Sequence, residues 1–244
     1  AAHILGAKAI YIGVEANKPQ GISALRAAAQ GAGIEVCPLR TRYPQGGEKQ
    51  LIYALTGRRV PSGGLPMDVG CVVLNVSTAK AICDAVVKGE RVLRRVVTVT
   101  GEVAAPANLY ARIGTPVGEL VEACGGALET ADRLILGGPM MGMAAFDLNT
   151  PVAKTTGGIV LLPPEKKAAR GNCIRCARCV DACPMGLMPT RIARYSDKGM
   201  FEEAKAAHAL DCIECGCCAY VCPAHLPLTQ SIRAAKRELA RRKG

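Results

Sequence analysis

Eight cysteines carry the most explicit chemistry in this chain. Cys173, Cys176, Cys179 and Cys183-Pro184 are answered by Cys212, Cys215, Cys218 and Cys222-Pro223. Both runs read C-x2-C-x2-C-x3-C-P, a spacing that holds [4Fe–4S] clusters in pairs. Three thiolates two residues apart wrap a tight loop around three corners of one cube. The cysteine before proline is aimed away and reaches the partner cube. The expected ligand sets are therefore crossed: Cys173, Cys176, Cys179 and Cys222 on one cluster, and Cys212, Cys215, Cys218 and Cys183 on the other. Crossing forces the clusters close together, which suits electron transfer. Structural zinc usually takes two separated C-x2-C pairs, and a third in-line cysteine with a Cys-Pro, occurring twice, does not match that or a disulfide framework. Cys217 breaks the register and reads as a non-ligand. Cys37, Cys71, Cys83 and Cys124 lie among apolar residues and read as buried thiols.

A second place for chemistry is the glycine-containing segment Tyr43-Pro44-Gln45-Gly46-Gly47-Glu48-Lys49. Glycines ahead of a helix let backbone amides approach an anion or a ring, although a simple tight turn uses the same residues. A third is Asn75-Val76-Ser77-Thr78, where Asn75 and Thr78 are either ordinary helix caps or donors to a phosphate held at a helix start.

The elements that must position these residues follow from the pattern. Residues 1–8 read as a helix end, 9–15 as an apolar strand, 19–30 as a helix with Asn17 as cap and Gly31 as stop, and 34–39 as a strand. This βαβ order predicts a parallel α/β sheet, whose ligands bind beyond the carboxyl ends of the strands, where Tyr43–Glu48 would lie. A helix over 50–56 ends at Gly57, an irregular loop fills 58–70, a strand spans 71–74 and a helix spans 79–87. The next unit has strands at 96–100 and 109–113, a helix capped by Thr115 with Pro116 at its first position, and a strand at 133–136. That order resembles a small β-grasp module. Residues 141–164 read as a connector with a short strand at 159–162. The cluster unit has a helix at 200–210 and a terminal amphipathic helix at 229–242. The expected divisions are 1–90, 91–140, the connector 141–164, and 165–244.

Composition bounds the rest. The chain has 244 residues, 50% of them hydrophobic, and 13 cysteines. Eight thiolates that must stay reduced argue for a reducing compartment. No apolar run approaches the ~18 residues of a membrane span, and the first residues do not read as a secretory signal; a chain soluble by itself is expected. The net charge is +11, with Arg233, Lys236, Arg237, Arg241, Arg242 and Lys243 gathered in the last helix and Lys166, Lys167, Arg170, Arg175 and Arg178 near the first cysteine run. Such groups suit an acidic protein or the membrane surface when they are not merely solvated. Nucleic acid is disfavoured, because aromatics are 3% and Trp is absent, leaving few stacking platforms.

Taken together, Tyr43-x-x-Gly46-Gly47-Glu48-Lys49, Pro61-Ser62-Gly63-Gly64-Leu65-Pro66, Asn75-Val76-x-Thr78, Arg95-Val96-Val97-Thr98-Val99-Thr100-Gly101, Gly137-Gly138-Pro139-Met140-Met141-Gly142 and the cysteine runs resemble the C subunit of the Rnf ion-translocating electron transport complex. The first half is also similar, more distantly, to the NADH- and flavin-binding subunit of respiratory complex I, with Gly47 and Leu74 departing from its motifs. The resemblance implies a Rossmann-like flavin domain, a β-grasp domain of the soluble-ligand-binding type and a helical ferredoxin. It implies electron transfer from NADH through FMN to two [4Fe–4S] clusters, then to membrane subunits and ferredoxin, coupled to sodium or proton movement. Tyr43, Gly46 and Glu48 would lie against the isoalloxazine or nicotinamide, and Asn75 and Thr78 would anchor the FMN phosphate. No residue is expected to act as a catalyst in its own right. The implied setting is peripheral, on the cytoplasmic side of a bacterial inner membrane. In the family a Gly-rich flavin loop and an acidic nucleotide-binding segment precede what is here residue 1, so the chain resembles a C-terminal portion of a longer subunit. Two other functions share features with this reading: a flavin and iron–sulfur cobalamin reductase of a metabolosome, and a ferredoxin-like electron-transfer module without its own flavin.

Overall fold

The computed structural model describes residues 2–165 and 169–242. Lys166, Lys167 and Lys243 lie outside the described residues.

The first unit opens with helix α1 (Ala2–Leu5) and continues as strand β1 (Ile10–Glu15), helix α2 (Pro19–Ala28) and strand β2 (Ile34–Leu39). The two strands pair in parallel from Ile10↔Ile34 to Glu15↔Leu39, as the βαβ pattern predicts. Pro19 opens α2, where its fixed φ and missing N–H suit the first turn. The expected Asn17 cap does not form: Lys18 is the cap residue without a side-chain bond, and the Asn17 N–H donates to Thr41 Oγ1 at 3.3 Å. Helix α3 (Glu48–Thr56) begins two residues earlier than expected and ends at left-handed Gly57. Glu48 in its first turn complements the positive end of the helix. Gly13 makes the packing possible, since a Cβ there would lie 2.8 Å from side-chain carbons of Leu39 and Leu51.

Helix α4 (Val76–Lys88) is capped by Asn75, whose side chain accepts from the Ser77 N–H at 2.9 Å. The expected strand over 71–74 is not one. The segment forms no ladder among the described residues, because β1 and β2 pair with each other alone. Val72 is 59% exposed, and the Cys71 N–H turns back to the Pro66 carbonyl. Cys83 on α4 is exposed and Cys37 and Cys71 are half-buried, so of the four scattered thiols only Cys124 is buried as expected.

The second unit is a five-stranded mixed sheet. Its strands are β3 (Arg94–Gly101), β4 (Ala107–Arg112), β5 (Arg133–Leu136), β6 (Met143–Ala145) and β7 (Gly158–Leu162), in the order β4-β3-β7-β5-β6. Only β3 and β7 run parallel. Residues 141–164 are thus no mere connector: they supply an edge strand and the central one. The Gly158–Leu162 run is apolar on both faces, the mark of a strand covered on both sides. Val97, Val99 and Ile159 are fully buried and pack with Val117, Val121, Val152 and Cys124.

Helix α5 (Val117–Ala123) starts at Val117, with Pro116 as its cap residue rather than its first turn. Thr115 does not cap it. The Val117 and Gly118 N–H groups donate instead to the carbonyls of Thr150 and Leu148, so the 147–150 segment satisfies the orphan donors of the first turn. At Gly101, with φ +91, a Cβ would fall 1.9 Å from the Leu161 carbonyl oxygen, so the β3–β7 crossing requires glycine.

Ile159→Ala should cost about 2–5 kcal/mol of stability, the usual penalty for emptying a buried aliphatic site. Denaturant unfolding checks it. A loss within measurement error would show that β7 does not sit at the sheet centre.

The third unit is helical: α6 (Arg178–Asp181), α7 (Pro189–Asp197), α8 (Phe201–Ala206), α9 (Cys217–Tyr220) and α10 (Leu228–Arg241). Helix α10 lies along α7, burying Ile192, Ile232 and Ala235, and the Ser196 hydroxyl donates to the Ser231 carbonyl at 2.6 Å. The single helix expected over 200–210 is divided. His208 adopts φ +63, which ends α8 and begins a 3₁₀ turn at Ala209–Asp211.

Much of the basic character of α10 is spent within the fold. Arg233 and Lys236 hold Glu214 at 2.7 and 2.6 Å, and Lys236 also donates to the Cys212 carbonyl. Arg241 and Arg242 both pair with Glu238 and draw its carboxyl down to about 2. That contribution is present above the ordinary carboxylate range and is lost as the pH falls through about 2.

Candidate functional site

The two cysteine runs fold into the same loop twice, 39 residues apart. In each run the third and fifth positions take left-handed backbone: Arg175 (φ +57) and Ala177 (φ +62) in the first, Glu214 (φ +57) and Gly216 (φ +82) in the second. Gly186 (φ +63) and His225 (φ +50) do the same three residues after each Cys-Pro cysteine. Non-glycine residues occupy this region only where their surroundings impose it. Recurrence at matched positions identifies a loop shaped for a purpose, with thiols of one run turned to a common interior.

Cys183 joins the second run rather than its own. Cys183, Cys212, Cys215 and Cys218 line one small cavity of about 20 Å³, and Cys217 is not part of its wall. These are the four cysteines that spacing assigns to one cluster. On the other side, Cys179 and Cys222 pack in one apolar cluster with Leu226 and Leu228, a cluster that Cys218 also joins. The Gly171 N–H donates to the Ala224 carbonyl at 3.1 Å, tying the entry of the first run to the Cys222-Pro223 corner. Cys173 and Cys176 are exposed. Among the described residues no three His, Cys, Asp or Glu side chains close on one point tightly enough for a single metal ion; a cube spreads its thiolates over four irons.

Burial pushes the Cys212 thiol up to about 11 and raises Cys218 as well. Iron would have to displace those protons on binding. Cys217 is also raised to about 11, by burial and by its hydrogen bond to Cys215.

The residues Tyr43, Gly46 and Glu48 all line one open cleft of about 690 Å³, bounded also by Glu15, Gln50 and Met141. The cleft lies beyond the carboxyl ends of β1 and β2, at the start of α3. Asn75 and Thr78 are not in its wall; they stand exposed at the start of α4. Ile213, between the first two cysteines of the second run, is in the wall.

The Tyr43 hydroxyl donates to the Cys215 carbonyl at 2.7 Å. Burial, then the neighbouring Cys215 and Cys217 thiols, raise the Tyr43 phenol, so it remains a donor. Gln50 lines the cleft while its amide touches Met185 Sδ, in the wall of the cysteine cavity, at 3.1 Å. Its Oε1 is buried without a hydrogen-bond partner.

The segment after Pro61 closes the joint. The Ser62 hydroxyl and Gly63 N–H donate to Asp211, just ahead of Cys212, at 2.5 and 3.2 Å. Burial raises that carboxyl, but these two bonds outweigh it and hold it below its usual range. Sequence reasoning missed Gln50, Asp211, Ile213 and Met141 as parts of this junction, since their partners are far away in the chain.

Fold and site together define a class: an α/β portion with a ligand cleft, a mixed-sheet unit, and a two-cluster iron–sulfur unit whose second loop borders the cleft. Comparison gives the same three parts. Residues 1–84 match the Nuo51 FMN-binding domain, 96–144 the SLBB domain and 172–226 the 4Fe-4S dicluster domain. Four cysteines that share one cavity wall are a donor set suited to an iron–sulfur cluster.

The chain is 47% identical, over 98% of its length and 56% of the relative, to the C subunit of the Na(+)-translocating ferredoxin:NAD(+) oxidoreductase complex of Acetobacterium woodii. It is 45% identical to the C subunit of the proton-translocating ferredoxin:NAD(+) oxidoreductase complex of Clostridium ljungdahlii, over 85% of this chain and 46% of that one. The C subunit of the ion-translocating oxidoreductase complex of Rhodobacter capsulatus is 46% identical over 99% of this chain and 47% of its own. The chain is a homologue of the C subunits of Rnf-type ion-translocating oxidoreductase complexes and spans about half the length of these relatives. A crystal structure of NAD+-reducing [NiFe]-hydrogenase has the same fold, with a TM-score of 0.60 at 19% identity, over 98% of this chain and 48% of that one. Among the described residues no helix is long and apolar enough to cross a membrane.

Proposed function

We propose that this chain is the electron-transfer portion of an Rnf-type C subunit, moving electrons between NADH and a membrane-bound oxidoreductase complex by way of FMN and two [4Fe–4S] clusters. The observation that carries this reading is the shared wall: Tyr43 lines the cleft and donates to the carbonyl of Cys215. In this reading Tyr43, Gly46 and Glu48 face the flavin or nicotinamide ring, and Asn75 and Thr78 lie toward the FMN phosphate. The exposed start of α4 supports the last role, since the amides of a helix start favour an anion. Cys173, Cys176, Cys179 and Cys222 hold one cluster; Cys212, Cys215, Cys218 and Cys183 hold the other. FMN supplies the exchange between a two-electron hydride and single electrons. The chain's own share is to position and orient, with Gln50 and Ile213 filling the space between cleft and cluster cavity.

The finer architecture belongs to the same proposal: a Rossmann-like flavin portion within 1–90, a β-grasp fold in the sheet unit, and a helical ferredoxin from 165 onward. So do its partners and setting, which are the other subunits of the complex, ferredoxin indirectly, and the cytoplasmic face of a bacterial inner membrane. The relatives' names support the partners.

The test uses the full-length protein, loaded anaerobically with FMN, iron and sulfide. Mixing with NADH should bring up the paramagnetic signals of two reduced [4Fe–4S] clusters. Clusters that are present and reducible by dithionite, yet silent toward NADH, would overturn the reading.

A further inference from the structure

The duplicated loop carries an inference about where electrons leave or enter. The start of the second run is covered at four points: by Tyr43 at Cys215, by Ser62 and Gly63 at Asp211, by Arg233 and Lys236 at Glu214, and by Met140, whose side-chain carbon lies 3.3 Å from where a Cβ on Gly216 would stand. The start of the first run, built on the same backbone, is exposed from Gly171 to Arg178. Ile174 occupies the position of Ile213, yet Ile213 lines the cleft while Ile174 is 68% exposed. Arg175 occupies the position of Glu214. Arg170, Arg175 and Arg178 are all exposed, and among the described residues none of the three forms an ion pair.

We propose that the face formed by Ile174, Arg175 and Arg178 docks a one-electron carrier protein that surrounds its own redox centre with acidic side chains. This deepens the reading above and rests on it. By the internal repeat, the side of the loop that meets the flavin cleft in the second run is the side left open in the first, where an exposed apolar residue is ringed by unpaired cations. An apolar centre with a charged rim suits a transient redox encounter, in which complementary charge speeds association and fixes orientation. One electron crosses: the first-run cluster changes by one unit of charge, the partner's centre by the opposite unit, and no bond is made or broken.

The experiment uses full-length, fully loaded protein and the variant Arg175→Glu/Arg178→Glu. Glu214 holds the same left-handed φ as Arg175, so glutamate fits that backbone. The probe is a small acidic ferredoxin, standing in for the carrier by its acidic surface, with binding measured by calorimetry between oxidised proteins and so without turnover. At low salt the dissociation constant should rise roughly tenfold or more in the variant. The difference should shrink as salt shortens the Debye length to about 8 Å and below. NADH oxidation with menadione, an uncharged acceptor, should stay within about twofold, and iron content should be unchanged.

Equal ferredoxin affinity in the two proteins, with clusters intact, overturns the docking proposal alone. Loss of binding to vesicles of anionic lipid with unchanged ferredoxin binding makes the face a membrane contact and also overturns it. Unmodified protein that holds no clusters overturns the underlying reading and this proposal with it. Ile174→Ser is the second variant: it leaves the arginines and the net charge in place and should weaken ferredoxin binding without altering the salt dependence.

Discussion

Replacing Cys183 with alanine should destroy the cluster of the second cysteine run, although Cys183 belongs to the first run in sequence. Unaltered full-length protein prepared anaerobically should carry about eight iron and eight sulfide in these two sites. The variant should lose about half of each, and the surviving paramagnetic signal should be that of the first-run cluster. The expectation follows from the single cavity that Cys183 shares with Cys212, Cys215 and Cys218. Cys217→Ala should keep both clusters, because Cys217 is absent from that wall. Cys183→Ala protein with the second-run cluster intact would show that each run ligates its own cube. Because NADH reaches the clusters through the covered loop in the proposed reading, the same variant should also lose NADH-dependent reduction of the cluster that remains.

The second large effect separates two kinds of flavin-site residue. Glu48 lies in the cleft wall, whereas Asn75 and Thr78 stand at the start of α4. Glu48→Gln in the full-length protein should lower kcat/KM for NADH roughly ten- to a hundredfold with FMN still bound, the loss expected for a hydrogen bond to a charged group. Asn75→Ala or Thr78→Ala should instead lower FMN occupancy, with its dissociation constant rising by a similar factor. For Asn75 the measurement must include helix stability, since this side chain also caps α4 at the Ser77 N–H and a lost cap costs about 1 kcal/mol. Thr78 makes no such cap and is the cleaner probe. Normal flavin content and normal turnover in all three variants would remove these residues from the site.

What could be read from the sequence was local. The cysteine spacing dictates its loops because each ligand is two or three residues from the next. The βαβ order of residues 10–39 was legible because β-branched strands, Pro19 and Gly31 punctuate it. Distant partners were not legible. Tyr43 and Cys215 are 172 residues apart, and nothing in either neighbourhood announces the other. The apolar run at Gly158–Leu162 is a recognisable strand, but its place between β3 and β5 depends on a parallel pairing to β3 that local pattern does not encode. Helix α7 escaped notice because three of its nine residues, Arg191, Arg194 and Asp197, are charged; its buried side is legible only once α10 lies against it. The basic terminal helix misled in the other direction. Charge counted along a chain says nothing of where it is neutralised, and Arg233, Lys236, Arg241 and Arg242 all find carboxylates of this chain.

The twin loops have a use beyond holding metal. Ligand type, ligand spacing and left-handed backbone positions are the same in both, so each serves as the control for the other. One is walled in by Tyr43, Glu214 with its two cations, and Met140; its counterpart faces solvent with Arg175 where the first has a carboxylate. In the proposed reading, any gap between the midpoint potentials of the two centres therefore reports burial, neighbouring charge and hydrogen bonding to the loop, with the coordination chemistry cancelled out. Transplanting single residues between matched positions, such as Glu214→Arg or Arg175→Glu, would apportion that gap group by group inside one molecule.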